Sequence, residues 1–261
     1  MDYTVAAVDE AIKLLFAVAA EPGLGVTELS KRTGITKARA FRLLSTLEQR
    51  GLARRHGDNP VYRLGLQALR LGASAAAQLD VVREANLALQ ELGSALNEMV
   101  ILRVRDGLES VCVARWESTQ PLRVHDEIGH RRPLYAGASG KLLLAHAPQA
   151  VVDAVFEAPR ERFTLQTPVS RTALQREIAR VREQGYAVSA GEFAKDTTAL
   201  AVPIFDDEGG IEAALSVSAP SSRMDERRQR ACLSLMRSKA EEVSRRLGWR
   251  PGLAAAPAAA G

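Results

Sequence analysis

The sequence is poor in cysteine and has no long uninterrupted apolar run. Its two cysteines, Cys112 and Cys232, are far apart and form no Cys-x-x-Cys pair, which argues against a disulfide framework and a structural zinc site. No segment approaches the ~20 consecutive apolar residues that a membrane-spanning helix requires. The first residues include the acidic Asp2, Asp9 and Glu10, whereas a secretory signal begins with basic residues. We therefore expect a soluble chain in a reducing, intracellular compartment, with no membrane partner.

Signatures of catalysis and of metal binding are also missing. The four histidines, His56, His125, His130 and His146, are not spaced in the chain as pairs of metal ligands are. The segment Gly137–Lys141 resembles a phosphate loop, but Tyr135 stands at the first glycine position and Leu142 replaces the Ser or Thr. It also lacks the Gly-x-Ser-x-Gly spacing of a nucleophile elbow. We predict no metal, no cofactor and no catalytic residue, with a triad built on Ser139 left open.

Positive charge is concentrated in the first third of the chain. The whole chain has 35 Lys and Arg against 31 Asp and Glu, a formal charge of +4. Residues 1–79 contain 11 basic and 7 acidic side chains, whereas residues 80–261 contain 24 of each. Between residues 31 and 55 there are eight basic side chains and one acidic one. A charged run is often only a solvated face, so its meaning depends on the local structure.

That basic segment has the pattern of a helix-turn-helix. A first amphipathic helix is predicted from an apolar stripe that we expect to face the core, made of Val8, Ile12, Leu15, Phe16 and Ala19. A short helix follows over residues 27–34 and ends at Gly34. Thr36 is expected to cap a second helix over residues 37–50. Two helices joined by such a short glycine-containing turn are typical of DNA-binding proteins.

A β-hairpin follows, with two short strands around a turn rich in Gly, Asp, Asn and Pro. We expect the first turns of the second helix to meet base edges and phosphates in the major groove, and the hairpin base to contact phosphates. The predicted DNA-binding residues are Thr36, Lys37, Arg39, Phe41, Arg42, Arg54 and Arg55. Residues 1–65 are thus predicted to bind double-stranded DNA, in the cytoplasm and associated with the nucleoid.

The rest of the chain changes character after an Ala-rich segment. Residues 66–79 are predicted to form a linker helix that packs against a second subunit, since a two-fold dimer suits a palindromic site. Residues 80–250 are predicted to form an antiparallel α+β domain. Its strands are expected at 99–105, 110–116, 122–128, from 185, 198–205 and 211–218, with helices at 80–97, 136–146, 170–184 and 225–247. The low-complexity tail, residues 251–261, is predicted to be disordered.

Two features of this second domain favour ligand binding. The segment Gly137–Lys141 begins a helix, where free backbone N–H groups and the helix dipole bind anions and carbonyl groups. Ser216 and Ser218 alternate with apolar residues and therefore point to one face of the sheet. They are either ligand donors in a pocket or small residues beneath a helix.

These stretches together resemble the IclR family of transcriptional regulators, over nearly the whole chain. The first half matches in Thr-Lys-Ala-Arg-Ala-Phe-Arg-Leu-Leu44, Gly51-Leu-Ala-Arg-Arg55 and Tyr62-Arg-Leu-Gly65. The second half matches in Pro121-Leu-Arg-Val124, Pro133-Leu-Tyr-Ala-Gly-Ala-Ser-Gly-Lys141, Gly185-Tyr-Ala-Val188 and Ala213-Ala-Leu-Ser-Val-Ser218.

The resemblance implies a winged helix-turn-helix that binds double-stranded promoter DNA, a linker helix and a GAF-like effector domain that forms dimers or tetramers. It implies a small-molecule effector site made by Ala138, Ser139, Ser189, Ala199, Ser216 and Ser218. Family members that bind glyoxylate-like carboxylates have Asp and Cys at the positions of Ser189 and Ala199, so a larger or less polar effector is expected here. The alternative interpretation is an enzyme whose basic N-terminal domain docks it to nucleic acid.

Overall fold

The computed structural model describes residues 3–56 and 60–250, and the chain divides into two compact units between Gln78 and Leu79. The tip of the hairpin, residues 57–59, and the tail predicted to be disordered, residues 251–261, lie outside the described residues.

The first unit contains helices and a small three-stranded sheet. Its elements are α1 (Ala6–Ala20), β1 (Leu24–Gly25), α2 (Val26–Thr33), α3 (Lys37–Gln49), β2 (Ala53–His56), β3 (Val61–Leu64) and α4 (Leu66–Ala77). The antiparallel sheet has the order β1-β3-β2. Gly34 ends α2 with a φ of 71°, a left-handed conformation that favours glycine and turns the chain into α3. The predicted winged helix-turn-helix is confirmed.

The core of this unit lies between the helices and the sheet. Its buried apolar side chains are Leu14, Val18, Leu29, Ile35, Ala40, Leu44, Leu47, Ala53 and Tyr62. They come from α1, α2, the turn that contains Ile35, α3 and both strands of the hairpin, so these parts pack against one another mainly through apolar side chains.

The predicted inward stripe of α1 is wrong. Leu14 and Val18 are buried, whereas Val8, Ile12 and Phe16 are 56%, 47% and 70% exposed. Ala19 is exposed too, and of the predicted stripe only Leu15 packs against the core. Apolar residues occupy more than one face of this helix, so their spacing alone could not decide which face the core covers.

The second unit is built on a six-stranded antiparallel sheet. Its elements are α5 (Asp80–Leu96), β4 (Met99–Asp106), β5 (Glu109–Trp116), β6 (Arg131–Pro133), α6 (Ala138–Ala145), α7 (Gln149–Glu157), α8 (Arg171–Gln184), β7 (Ala187–Ala190), β8 (Thr197–Phe205), β9 (Ile211–Pro220), a 3₁₀ turn (Ser221–Arg223) and α9 (Glu226–Arg246). The strand order is β6-β5-β4-β9-β8-β7, and every neighbouring pair is antiparallel.

Alternation along the strands separates the two faces of this sheet. Leu102, Leu200 and Leu215 belong to a core shared with α5 and α9. On the other face, Ala201 and Ala214 belong to a second core shared with α6, α7 and α8. The unit is therefore a three-layered α/β/α arrangement, in agreement with the predicted α+β domain.

Several local predictions differ from the structure. Residues 122–128 form no strand but a loop, held by side chains: the Leu122 carbonyl accepts a hydrogen bond from Arg223, and Asp126 accepts one from Arg103. The side chains of Val124 and Asp126 do point inward, which explains the alternation, but the backbone of this segment forms no hydrogen bonds with a neighbouring strand. The elements β1, β6 and α7 were not predicted. Among the described residues, no helix is both long and apolar enough to cross a bilayer.

Candidate functional site

The first turns of α3 present basic side chains to the surface. Lys37, Arg42 and the half-exposed Phe41 lie outward, as predicted. Arg39 is also exposed, but it is paired with Glu10 of α1. Thr36 stands at the N-cap position without a side-chain cap bond, contrary to the capping role predicted for it. Its hydroxyl is therefore not committed to the helix end.

The hairpin adds a second basic surface. Arg54 of β2 lies directly opposite Arg63 of β3, and both side chains are exposed. Like charges directly opposite each other destabilise a strand pair, which is consistent with a role in contacting an anion. Arg55 faces the other side, where its guanidinium lies 2.8 Å from a carboxylate oxygen of Glu48. Of the two predicted wing residues, Arg55 is paired with Glu48, whereas the Arg54 guanidinium has no partner among the described residues.

The second unit contains a cavity of about 710 Å³ on the sheet face that also carries α6. The lining includes all six residues of the predicted effector site, namely Ala138, Ser139, Ser189, Ala199, Ser216 and Ser218. The strand register explains how they meet: Ser189 pairs with Ala199, and Ala199 with Ser218, so these three form one row across β7, β8 and β9. Ser216 lies on the same face one row away.

The start of α6 forms one wall of the cavity. Gly137 has a φ of 78°, and a side chain there would come within 2.8 Å of the Phe193 ring, so this position requires glycine. The Gly137 N–H donates to Glu192 Oε2 at 2.8 Å. The N–H groups of Ala138 and Ser139, the next two in the helix, donate to no other described residue. They remain available to a ligand oxygen.

Buried serines complete the polar part of the cavity. Ser139, Ser189 and Ser218 are 8%, 5% and 8% exposed, and their hydroxyls have no hydrogen-bond partner among the described residues. Ser216 Oγ lies 3.3 Å from the Ile101 carbonyl oxygen, to which it donates. Ser139, Ser189 and Ser218 line the cavity, and their hydroxyl oxygens are not among the sealed, unpartnered atoms of the described residues, so they are open to hydrogen bonds with a bound molecule.

A network of charged side chains that includes Arg103, Asp126 and Arg132 also lines the cavity. Arg103 is 3% exposed and donates to Asp126 Oδ2 at 2.7 Å, and His130 Nδ1 lies 2.8 Å from the other carboxylate oxygen. Burial opposes ionisation of Asp126, but Arg132, Arg103 and His130 outweigh it and leave its pKa below the usual value. Burial, followed by the charge of Asp126, raises the pKa of the nearby Cys112 thiol to about 11, so this cysteine is not a nucleophile at neutral pH.

Four further residues of these surfaces escaped sequence analysis: Arg63, Arg132, Glu192 and Phe193. Arg63 could have been identified from the sequence, because the position of the turn sets the register of the hairpin and places Arg63 opposite Arg54. The other three reach the cavity only through long-range pairing of β6 and through the loop after β7, and nothing in their local sequence indicates this. Among residues 3–56 and 60–250, no group of three His, Cys, Asp or Glu side chains is arranged to hold a metal ion.

Comparison with known proteins gives matches to two families along the chain. Residues 7–57 match the family described as the IclR helix-turn-helix domain, and residues 73–245 match the bacterial transcriptional regulator IclR C-terminal domain. The HTH-type transcriptional regulator KdgR of Escherichia coli is 32% identical over 247 residues, which are 94% of each chain.

Solved structures resemble the chain over the same length. The Thermotoga maritima IclR crystal structure superposes with a TM-score of 0.77, with 26% identity, covering 94% of this chain and 99% of that one. An IclR homologue of Microbacterium hydrocarbonoxydans complexed with 4-hydroxybenzoate has a TM-score of 0.82, with 24% identity and coverage of 92% and 98%. At that identity the second comparison bears on the fold alone.

Proposed function

Since the chain belongs to the IclR family of transcriptional regulators, we propose that its first unit binds double-stranded promoter DNA through α3 and the wing. The contacts are assigned to Thr36, Lys37, Arg39, Phe41, Arg42, Arg54 and Arg55, together with Arg63. The observation that carries this proposal is the set of exposed cations without partners on α3 and the hairpin, on the unit that holds the whole charge excess. Such a protein acts on the nucleoid, in the cytoplasm.

The second unit is the effector-binding domain, and we assign the effector site to Ala138, Ser139, Ser189, Ala199, Ser216 and Ser218. The free N–H groups at the start of α6 and the hydroxyls of Ser139, Ser189 and Ser218 support this assignment, since they offer hydrogen bonds that the described residues do not use. The volume of about 710 Å³ suits a molecule larger than glyoxylate. A ligand that binds there changes DNA affinity only if it favours one of two states of the protein.

We propose a homodimer or a homotetramer that binds a palindromic site. Support comes from apolar side chains that the isolated chain leaves exposed, on α1 (Val8, Ile12 and Phe16) and on α4 (Leu66 and Leu69). Exposed apolar surface of this kind is typical of interfaces. In this scheme residues 1–65 bind DNA, residues 66–79 form the linker helix and residues 80–250 bind the effector.

The relatives are transcriptional regulators, which favours a regulator over the alternative of an enzyme docked to nucleic acid. We propose that the cavity binds its ligand without catalysing a reaction. Chemical conversion of any small molecule by the purified chain, measured by NMR, would favour the enzyme.

The DNA-binding proposal is tested by gel shift with duplexes from the promoters next to the gene. The full-length protein is expected to bind in a salt-sensitive manner, because each neutralised phosphate releases counterions. The double variant Arg39→Ala with Arg42→Ala is expected to lose most of the affinity, whereas Arg230→Ala, an exposed residue of α9, retains it. Unchanged binding by the double variant would remove the assignment of α3 as the recognition helix.

A further inference from the structure

Arg39 stands in the first turn of α3, the part of a recognition helix that meets base edges. Its side chain is half exposed, and its Nε donates a hydrogen bond to Glu10 Oε2 of α1. Among the described residues, the two terminal amino groups of this guanidinium have no hydrogen-bond partner. Arg39 is therefore held at Nε, while the pair of amino groups that can form a bidentate contact stays free.

The wing contains a second arginine with the same geometry. Arg55 Nε lies 3.0 Å from Glu48 Oε1 and 2.8 Å from Glu48 Oε2, and its terminal amino groups also have no partner among the described residues. In both pairs the acid belongs to a different element from the arginine that it contacts. Lys37 and Arg42, on the same turns of α3 as Arg39, form no ion pair within the described part of the chain. The surface thus contains both anchored and unanchored cations.

Glu10 approaches Arg39 from a packed interface between two helices. The Glu10 side chain is only 24% exposed, whereas carboxylates usually lie in solvent. It lies one turn before Leu14, and Arg39 lies next to Ala40; both of these apolar residues are fully buried in the core of the first unit. Close packing beneath the ion pair fixes the direction from which Glu10 reaches the guanidinium. A guanidinium supported in this way has less freedom to lose when it binds.

The Glu10 carboxylate has two opposite effects on a surface that binds DNA. Its negative charge opposes the attraction of the neighbouring cations to phosphates, and this effect is the same for every duplex. Orientation of Arg39 favours only duplexes that present a matching base edge. The two effects therefore differ in their dependence on DNA sequence, and an experiment that measures affinity and specificity separately can distinguish them.

We propose that Glu10 is a positioning residue for sequence recognition. It orients the Arg39 guanidinium so that the free amino groups form a bidentate contact with O6 and N7 of a guanine in the major groove. Glu10 itself does not contact DNA. This inference rests on the proposed function of the first unit, and it names one contact through which that unit distinguishes sequences.

The test uses the full-length protein and requires no knowledge of the operator. The wild type selects its preferred sequence from a random duplex library, and fluorescence anisotropy measures its affinity for that duplex and for a scrambled duplex of equal composition. Glu10→Ala is expected to reduce the ratio of the two affinities about tenfold, since a bidentate base contact is lost. Its binding to the scrambled duplex is expected to be unchanged or tighter. Glu10→Gln keeps an acceptor for Nε and is expected to retain the ratio within about threefold of the wild type.

The matched control is Asp9→Ala, which removes the same charge from the neighbouring position of α1, where Asp9 pairs with Lys13. Its affinity ratio is expected to equal that of the wild type. If Glu10→Ala instead binds both duplexes more tightly by the same factor, Glu10 only opposes phosphate binding and the proposal is overturned. A ratio for Glu10→Gln as low as that for Glu10→Ala, or an equal loss in Asp9→Ala, also contradicts it.

A double-variant cycle shows whether Glu10 acts through Arg39 or through the packing of α1. In the Arg39→Ala background, Glu10→Ala is expected to leave the affinity ratio unchanged, because no guanidinium remains to be oriented. A further loss of about tenfold in that background would assign the effect to packing and overturn the proposal.

Failure of the proposed function gives a different result in the same experiment. A wild type that selects no sequence and shows no salt-sensitive binding would refute DNA recognition by the first unit. If the wild type selects a sequence and Glu10→Ala distinguishes it equally well, DNA recognition stands and only the role of Glu10 is wrong.

Discussion

Single side chains show where the second unit depends on paired charges. Lys141 is 1% exposed and donates to Glu177, Glu192 and the Val188 carbonyl, so one ammonium ties α6 to α8 and to the loop after β7. The same contact holds Glu192 on the Gly137 N–H. A single buried cation therefore fixes the wall of the cavity where the free N–H groups lie.

Lys141→Met is expected to lower the free energy of unfolding by about 3–5 kcal/mol, because it leaves a buried carboxylate without its cation. Chemical denaturation measures this. Lys195→Met changes an exposed lysine and is expected to stay within about 0.5 kcal/mol of the wild type. Equal stability of both variants would contradict this role of Lys141.

Secondary-structure elements differ in how they use their basic and apolar faces. In the hairpin, Arg54 and Arg63 lie directly opposite each other, and repulsion between their charges destabilises the pairing of the two strands. In α1, an apolar face made of Val8, Ile12 and Phe16 stays exposed, although the other face fills the core. Both faces are unfavourable in the isolated unit, and we propose DNA as the partner of the hairpin pair and a second copy of the chain as the partner of α1.

For the wing, Arg54→Ala and Arg63→Ala are each expected to weaken binding to all duplexes by a similar factor. Each should lower the slope of log affinity against log salt by about 1, since a phosphate contact carries no sequence information. Fluorescence anisotropy over a range of salt concentrations measures the slope, with Arg230→Ala as control. A loss confined to one duplex sequence would instead indicate a base contact.

For α1, Phe16→Ser is expected to weaken self-association by about tenfold or more, because burial of a phenylalanine contributes about 1.5–3 kcal/mol. Its folded monomer should keep its stability, since Phe16 is 70% exposed. Analytical ultracentrifugation measures the association, and Lys13→Ser on the same helix is the matched control. Unchanged association would exclude this face from the interface.

In the whole molecule, the positive charge excess and the cavity lie in different units. Residues 1–79 carry the positive excess, and residues 80–261 are neutral and contain the cavity of about 710 Å³. Binding of DNA and binding of an effector thus occur in different units. A regulator couples such sites through a shared conformational equilibrium.

Coupling is reciprocal, so if a ligand of the cavity changes the affinity for DNA by some factor, bound DNA changes the affinity for that ligand by the same factor. For a small molecule that stabilises the wild type in a thermal-shift assay, a factor of about 5–150 is expected. Titrating this molecule into the protein alone and into its DNA complex, by calorimetry, measures the factor. Equal ligand affinities in the two titrations would show that the cavity does not control DNA binding.

Local patterns in the chain were enough to predict the winged helix-turn-helix, most strands of the sheet and the shared face of Ser216 and Ser218. Helical spacing, a glycine at a left-handed turn and strand alternation act between near neighbours, so they are visible in the sequence. The buried face of α1, the loop at residues 122–128 and the placing of Arg132 and Glu192 in the cavity depended on tertiary structure. They are set by packing and ion pairs between residues far apart in the chain, and no local periodicity encodes which distant partner a side chain will meet.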